Sequence, residues 1–167
     1  MIRKRFFTTL ALLALSAGMA NPVSAADANP NFLERSIEGA HSGRALNQLQ
    51  TAIEEEGFSF MRVQNVDKGL AGSGFERPPY KIVFFGNREQ FERAREIDPR
   101  VTPYLPLKVT VYEDEKGDTH LSVVDPAVVG RMFNPRLKDQ FEAWSTALKR
   151  ILDQTAKEVR AGTWSGN

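Results

Sequence analysis

The sequence predicts an α+β fold: an antiparallel sheet in the order strand–helix–four strands–helix, with a small helix inserted between the third and fourth strands. Three observations carry this. Residues 107–124 alternate apolar and polar on both sides of a turn, which marks a hairpin with one buried face. Four strand-like stretches follow one another after the first helix, which fits an antiparallel α+β sheet and not a doubly wound one. Residues 137–159 carry a single apolar stripe at helical spacing, enough to cover such a sheet.

Length and composition set the frame. A chain of 167 residues, 41% apolar and 26% charged, fits one globular domain. It has no Cys, which excludes disulfides, thiolate metal sites and a Cys nucleophile. Residues 1–25 read as a secretory signal peptide. Arg3, Lys4 and Arg5 form a basic start, Phe6 to Ala20 a mostly apolar stretch, and Val23-Ser24-Ala25 a small-residue cleavage site. The apolar stretch is shorter than the roughly 20 residues that span a bilayer, so no lasting membrane anchor is expected. Cleavage removes three positive charges and leaves 19 Lys plus Arg against 21 Asp plus Glu. A mature net charge of −2 gives no general attraction to nucleic acid. The expected location is periplasmic or secreted.

The elements follow in order. Residues 26–31 form a polar tail expected to be disordered, 32–161 a single domain and 162–167 a C-terminal tail. Phe32 to Glu38 gives a short first strand. Ser42 is placed to cap a helix over 43–56, whose Ala45, Leu46, Leu49, Ala52 and Ile53 recur at helical spacing. Gly57 stands where a C-terminal cap glycine belongs. Glu54, Glu55 and Glu56 read as a solvated edge. Phe58 to Val66 is a strand. Gly69, Gly72, Gly74, Pro78 and Pro79 mark a loop, and their spacing does not make a dinucleotide-binding fingerprint. Tyr80 to Phe85 is a continuous apolar run, fitting a buried strand. Asn87 is placed to cap a helix over 88–97, with Gln90 at the capping-box position. Pro99, Pro103 and Pro106 keep the chain extended or turning. Asn134-Pro135 starts the last helix and Gly162 ends it.

The hairpin register is set by its pattern. A two-residue Lys116-Gly117 loop would oppose Val111 and Ser122 and mix the two faces. A three-residue loop, Glu115-Lys116-Gly117, pairs Val111 with Leu121 and Val109 with Val123 and puts Gly117 at the left-handed position. Tyr112 then faces His120, Thr110 faces Ser122, and Asp114 faces Asp118.

Five short segments resemble the bacterial family known as domain of unknown function 302. They are Glu56-Gly57-Phe58, Phe85-Gly86-Asn87, Leu105-Pro106-Leu107, Tyr112-Glu113-Asp114 and Asp125-Pro126, in that order along the chain. Arg88 stands where the family usually has Pro. The resemblance implies a TATA-binding-protein-like topology and a homodimer. It implies no activity.

The chemistry-bearing residues gather on the hairpin. Tyr112, Asp114, Asp118 and His120 share one face near its end. Asp114, Asp118 and His120 are the candidate ligands for a divalent metal. Lys108, Thr110, Tyr112, His120 and Ser122 form a mixed open face suited to a ligand pocket or a second subunit. His41 is read as an exposed loop residue and Asp125 as a turn initiator. No serine sits in a nucleophile-elbow pattern. Met61 and Met132 are expected in the core, as is Trp144, while Trp164 lies in the tail. No catalytic set is assigned and the cofactor is unknown. The leading functional reading is a periplasmic module that binds a small apolar ligand. The alternatives are a dimeric structural or interaction protein, and then a metal-dependent enzyme using the hairpin His and Asp.

Overall fold

The computed structural model describes residues 29–162. The expected signal peptide, the first part of the expected N-terminal tail and Trp164 lie outside the described residues. Five strands form one antiparallel sheet in the order β1-β5-β4-β3-β2. They are β1 (Phe32–Ile37), β2 (Ser59–Asn65), β3 (Tyr80–Gly86), β4 (Leu107–Glu113) and β5 (Thr119–Val124). The helices are α1 (Ser42–Glu55), α2 (Val66–Ala71), α3 (Arg88–Ile97), α4 (Pro126–Val129) and α5 (Lys138–Gly162). None of the described helices is long and apolar enough to cross a membrane.

One face of the sheet is covered by α1 and α5, and the core lies between. Leu33, Ile37, Val83, Phe85, Val109, Val111 and Leu121 point into it from the strands. Leu49 and Ile53 of α1 and Phe141, Trp144, Leu148, Ile151 and Leu152 of α5 meet them. The long apolar stripe of α5 is therefore the sheet-covering face that its periodicity announces. Burial of this apolar surface is the main stabilising term, at roughly 25 cal/mol per Å².

The ends of the elements show what local sequence could and could not specify. Asn87 caps α3 as expected, its side chain accepting from the Gln90 N–H at 3.1 Å. The Gln90 side chain does not close the box. It accepts instead from the Trp144 indole N–H at 2.7 Å, a partner 54 residues away. Ser42 is not the cap of α1. It is the first helical residue and is buried, and its N–H donates to Glu113 Oε1 of β4 at 2.7 Å. A tertiary carboxylate thus replaces the local hydroxyl, and a negative charge is favoured at a helix N-terminus. Gly57, at φ +78, follows α1 in the left-handed region where a side chain would be strained. The acidic run at the end of α1 is not simply solvated: Glu56 holds Arg150 of α5 through two 2.7 Å bonds. That guanidinium keeps the Glu56 carboxyl below its ordinary range.

Three more expectations need correction. The glycine-rich stretch is not all loop, because residues 66–71 form α2, packed on β3 with Asp67 in its first turn. This packing offsets the cost of about 1 kcal/mol for a helical glycine at Gly69. The stretch Pro99–Tyr104 is a 3₁₀ helix, started by the buried Asp98, which accepts from the Arg100 and Asn134 N–H groups. Met61 and Met132 are not core residues. They are 58% and 74% exposed, Met61 at an irregularity of edge strand β2 and Met132 at the corner before α5. An apolar side chain on a bulge or corner has no layer to enter.

Candidate ligand cleft and the His120 brace

The hairpin has the expected register, with Thr110 opposite Ser122, Val111 opposite Leu121 and Tyr112 opposite His120. Gly117 takes φ +83 in the three-residue loop. The ladder then stops short. Val109 and Val123 do not pair, contrary to the expectation, and neither do Lys108 and Val124. Each strand stays in register with its far-side neighbour instead: Lys108 lies opposite Phe84 of β3, and Val124 opposite Phe32 of β1. The two central strands therefore splay at this end of the sheet. An antiparallel ladder bonds every second rung, so stopping it leaves one N–H and C=O set on each strand without its ladder partner.

The splay opens a cleft of about 390 Å³. Its apolar lining includes Phe32, Ile82, Leu107, Val123, Val129 and Leu148, and its polar lining is Lys108, Thr110, Ser122 and Tyr104. Leu148 belongs to α5, so the opening reaches through the sheet to the helical layer. Burial, and secondarily the Asp125 charge, push the Tyr104 phenol well above its ordinary value, so it remains a neutral donor. Thr110 and Ser122 also line a shallower hollow of about 270 Å³ with Arg77, Tyr80 and Tyr112. The two openings share those residues and lie along the same pair of strands. Another hollow of about 320 Å³ lies where α4 meets α5, lined by Phe133, Phe141, Arg131 and Lys138 among others, and it contains none of the candidate ligand or metal residues.

His120 lines neither opening along these strands. Its ring stacks on Tyr112 at 4.9 Å and 16°. Its Nε2 lies 3.1 Å from Asp114 Oδ2, and its Nδ1 lies 2.9 Å from Ser36 Oγ on β1. Asp114 accepts from the N–H groups of Asp118 and Lys116 as well. Its carboxyl is held below the ordinary value of 3.8, first by the Asp118 N–H and then by His120. An ionised carboxylate only accepts, so Nε2 carries a proton toward it. In neutral His120, Nδ1 then accepts from the Ser36 hydroxyl.

This Ser36–His120–Asp114 chain has the connectivity of a nucleophile, base and orienting acid. Its surroundings suit another role. An oxyanion at Ser36 would form near Asp114 and near Glu34 on the same face of β1, and like charges raise the energy of such a state. The chain instead braces edge strand β1 to the hairpin. Asp118 does not join it. Its Oδ1 accepts from the Gly39 N–H at 2.9 Å, in the loop between β1 and α1. The candidate metal trio is thus separated by backbone demands. Among the described residues, no group of three or more His, Asp or Glu side chains is arranged to hold a metal ion.

The brace has an acid signature. A carboxylate held below its ordinary value contributes stability that is present above that value and is lost as pH falls through the lowered one. The Asp114→Asn variant is therefore expected to melt below the wild type at pH 5, with the gap shrinking as pH falls below about 3.8. Thermal unfolding from pH 5 to pH 2.5 reads this, and a constant gap would contradict it.

Comparison with known proteins now adds the family. The sequence profile described as "Domain of unknown function DUF302" matches residues 37–155. The chain belongs to the DUF302 family. Among solved structures it is similar to that of the uncharacterized conserved protein DUF302 from Bacillus stearothermophilus. That match has a TM-score of 0.69 and 22% identity, covering 76% of this chain and 99% of that one. It shows a shared α+β fold. No functionally curated protein matches the sequence. The DUF302 match begins at Ile37, so β1, with Phe32, Glu34 and Ser36, lies almost wholly before it.

Of the candidate ligand residues, Lys108, Thr110 and Ser122 line the main cleft. Tyr112 lines only the shallow extension, and His120 stands behind Tyr112. The strand alternation also puts Val124 on the same open face, and Val124 lines the cleft. Phe32, Tyr104, Ile82 and Leu148 are assigned to no site by the sequence, since no local pattern shows that β1 lies beside β5 or that the sheet opens toward α5.

Proposed function

We propose that this DUF302 protein is an exported binding module that takes a small, largely apolar ligand in the cleft between β4 and β5. The observation that carries this reading is the early end of the β4–β5 ladder. Two central strands of a sheet do not give up backbone hydrogen bonds without cost, and here the vacated space is lined by apolar side chains with a few polar groups. That is the usual composition of a small-ligand site, and about 390 Å³ falls within the usual range of roughly 300–1,000 Å³. The strand order β1-β5-β4-β3-β2 supports a TATA-binding-protein-like topology for the scaffold. The leader at residues 1–25 supports export.

The test uses the neutral fluorescent probe N-phenyl-1-naphthylamine. Wild-type protein is expected to bind it saturably with a rise in emission. Val124 is 40% exposed at the mouth, so Val124→Trp can fill the opening from outside the core. This variant is expected to lose at least tenfold in affinity while keeping its circular dichroism and melting temperature. Absence of saturable binding to the wild type, or equal binding to the variant, would overturn the proposal.

A second reading places another copy of the chain on the open sheet face. Phe32 and Val124, paired across β1 and β5, are each 40% exposed there, which favours it. Sedimentation of the cleaved protein at micromolar concentration tests it, and a monomer alone would remove it.

A further inference from the structure

The cleft has a polarity that narrows its ligand. Its floor, formed by Leu107, Val123 and Leu148, is apolar, and its single cationic lining residue is Lys108. Lys108 is exposed on the open face, with Nζ 5.8 Å from the Tyr104 ring centroid. Among the described residues it forms no ion pair. Two carboxylates beside the cleft have other partners. Glu34 accepts from the Ser122 hydroxyl at 3.0 Å. Asp125 accepts from the Ala127 N–H at 2.9 Å and lies 3.8 Å from Lys149 Nζ. Neither carboxylate pairs with Lys108, whose charge is left for an outside partner.

Hydrogen-bond donors gather near the same place. Thr110 and Tyr104, both hydroxyl-bearing, line the cleft, and the interrupted ladder leaves one backbone N–H on each of β4 and β5 without its ladder partner. An ammonium beside neutral donors, above an apolar slot, complements an anionic head on an apolar tail. A cationic head would meet Lys108 with like charge, and an uncharged one would leave it unanswered.

We infer that the ligand is a monoanionic amphiphile, a medium-chain carboxylate whose head meets Lys108 at the mouth and whose chain enters the slot toward Leu148. This rests on the cleft reading above and adds the ligand's charge and orientation. The carboxylate would accept from Lys108 Nζ and a neighbouring donor, and the tail would displace water from the apolar floor.

Decanoate, decanol and decylammonium test it by displacement of bound N-phenyl-1-naphthylamine, all below their aggregation concentrations. Wild-type protein is expected to prefer decanoate over decanol roughly tenfold, with decylammonium weakest. Lys108→Met keeps an unbranched side chain without the charge. This variant is expected to bind decanol as before and to lose the preference for decanoate. Its unchanged probe affinity would show that the fold and cleft survive. Equal binding of decanoate and decanol to wild type, or an undiminished preference in the variant, would overturn the inference while leaving the cleft reading intact. Failure of the probe itself to bind would overturn both. Raising salt from 50 to 500 mM is expected to weaken decanoate and not decanol, because a pair at the mouth is screened.

Discussion

Replacing Trp144 with alanine is expected to lower unfolding stability by about 3–5 kcal/mol, the range for removing a large buried aromatic side chain. Trp144 is 1% exposed on α5. Its ring meets Phe91 edge-on at 6.0 Å and Phe141 at 5.0 Å, and its indole N–H donates to Gln90 at 2.7 Å. One residue therefore joins α3 to α5 through packing and a hydrogen bond. Truncation leaves a cavity and strands the Gln90 carbonyl, which had been drawn away from its local capping role. Domains of this size have only about 5–15 kcal/mol in total, so the variant is expected to lie near its folding threshold. Urea unfolding followed by far-ultraviolet circular dichroism measures it. Trp144→Phe is the companion: it keeps most of the ring and is expected to cost less, about 1 kcal/mol of it from the lost hydrogen bond. A loss below about 1.5 kcal/mol for alanine would mean that the cluster relaxes around the gap.

Gly130→Val is expected to destabilise by about 3 kcal/mol, at the upper end of what overpacking costs. The reason is contact, not backbone freedom. Gly130 has an ordinary helical φ of −55, which any residue adopts. A Cβ built there would lie 2.6 Å from Phe141 Cβ and 2.7 Å from its Cγ. Those atoms sit at the root of a buried side chain on α5 and cannot rotate away. At a helical position without this contact, replacing glycine by alanine would stabilise by roughly 0.5–1 kcal/mol through chain entropy, and valine by less. The sign of the change thus separates the two accounts. Denaturant unfolding reads it, and a neutral or stabilising result would show that α4 and α5 are not pressed together at this point.

Much of the fold could be read locally because its signals are local. The stripe of α5, the alternation of β4 and β5, the Asn87 cap and the left-handed Gly117 each depend on residues within a few positions of one another. They follow from the helical and strand periods and from backbone sterics. The hairpin register could be read for the same reason, since a slip of one residue would turn Val111 and Leu121 to the wrong face. The lack of cysteine chemistry follows from composition alone.

The candidate site was legible only in part. Lys108, Thr110 and Ser122 alternate out of the core, so their shared face is written in the strand pattern. That the strands part beyond Thr110 and Ser122 is not, because alternation continues unbroken through Val109 and Val123. The parting goes with the pairing of β4 on β3 and of β5 on β1, strands distant in the chain. The separation of Asp118 from Asp114 and His120 is equally nonlocal, since it turns on the Gly39 N–H brought over from the β1–α1 loop. Ser36 reaches His120, Glu113 caps Ser42, and Gln90 serves Trp144 by the same logic.

The sequence by itself determined the periods, and with them the elements, their buried faces and the α+β class. Tertiary structure alone decided which polar groups meet and where the sheet opens. The physical reason is range. Periodicity and caps are settled within a turn or a strand. A hydrogen bond between distant segments exists only once burial of the apolar faces has brought those segments together.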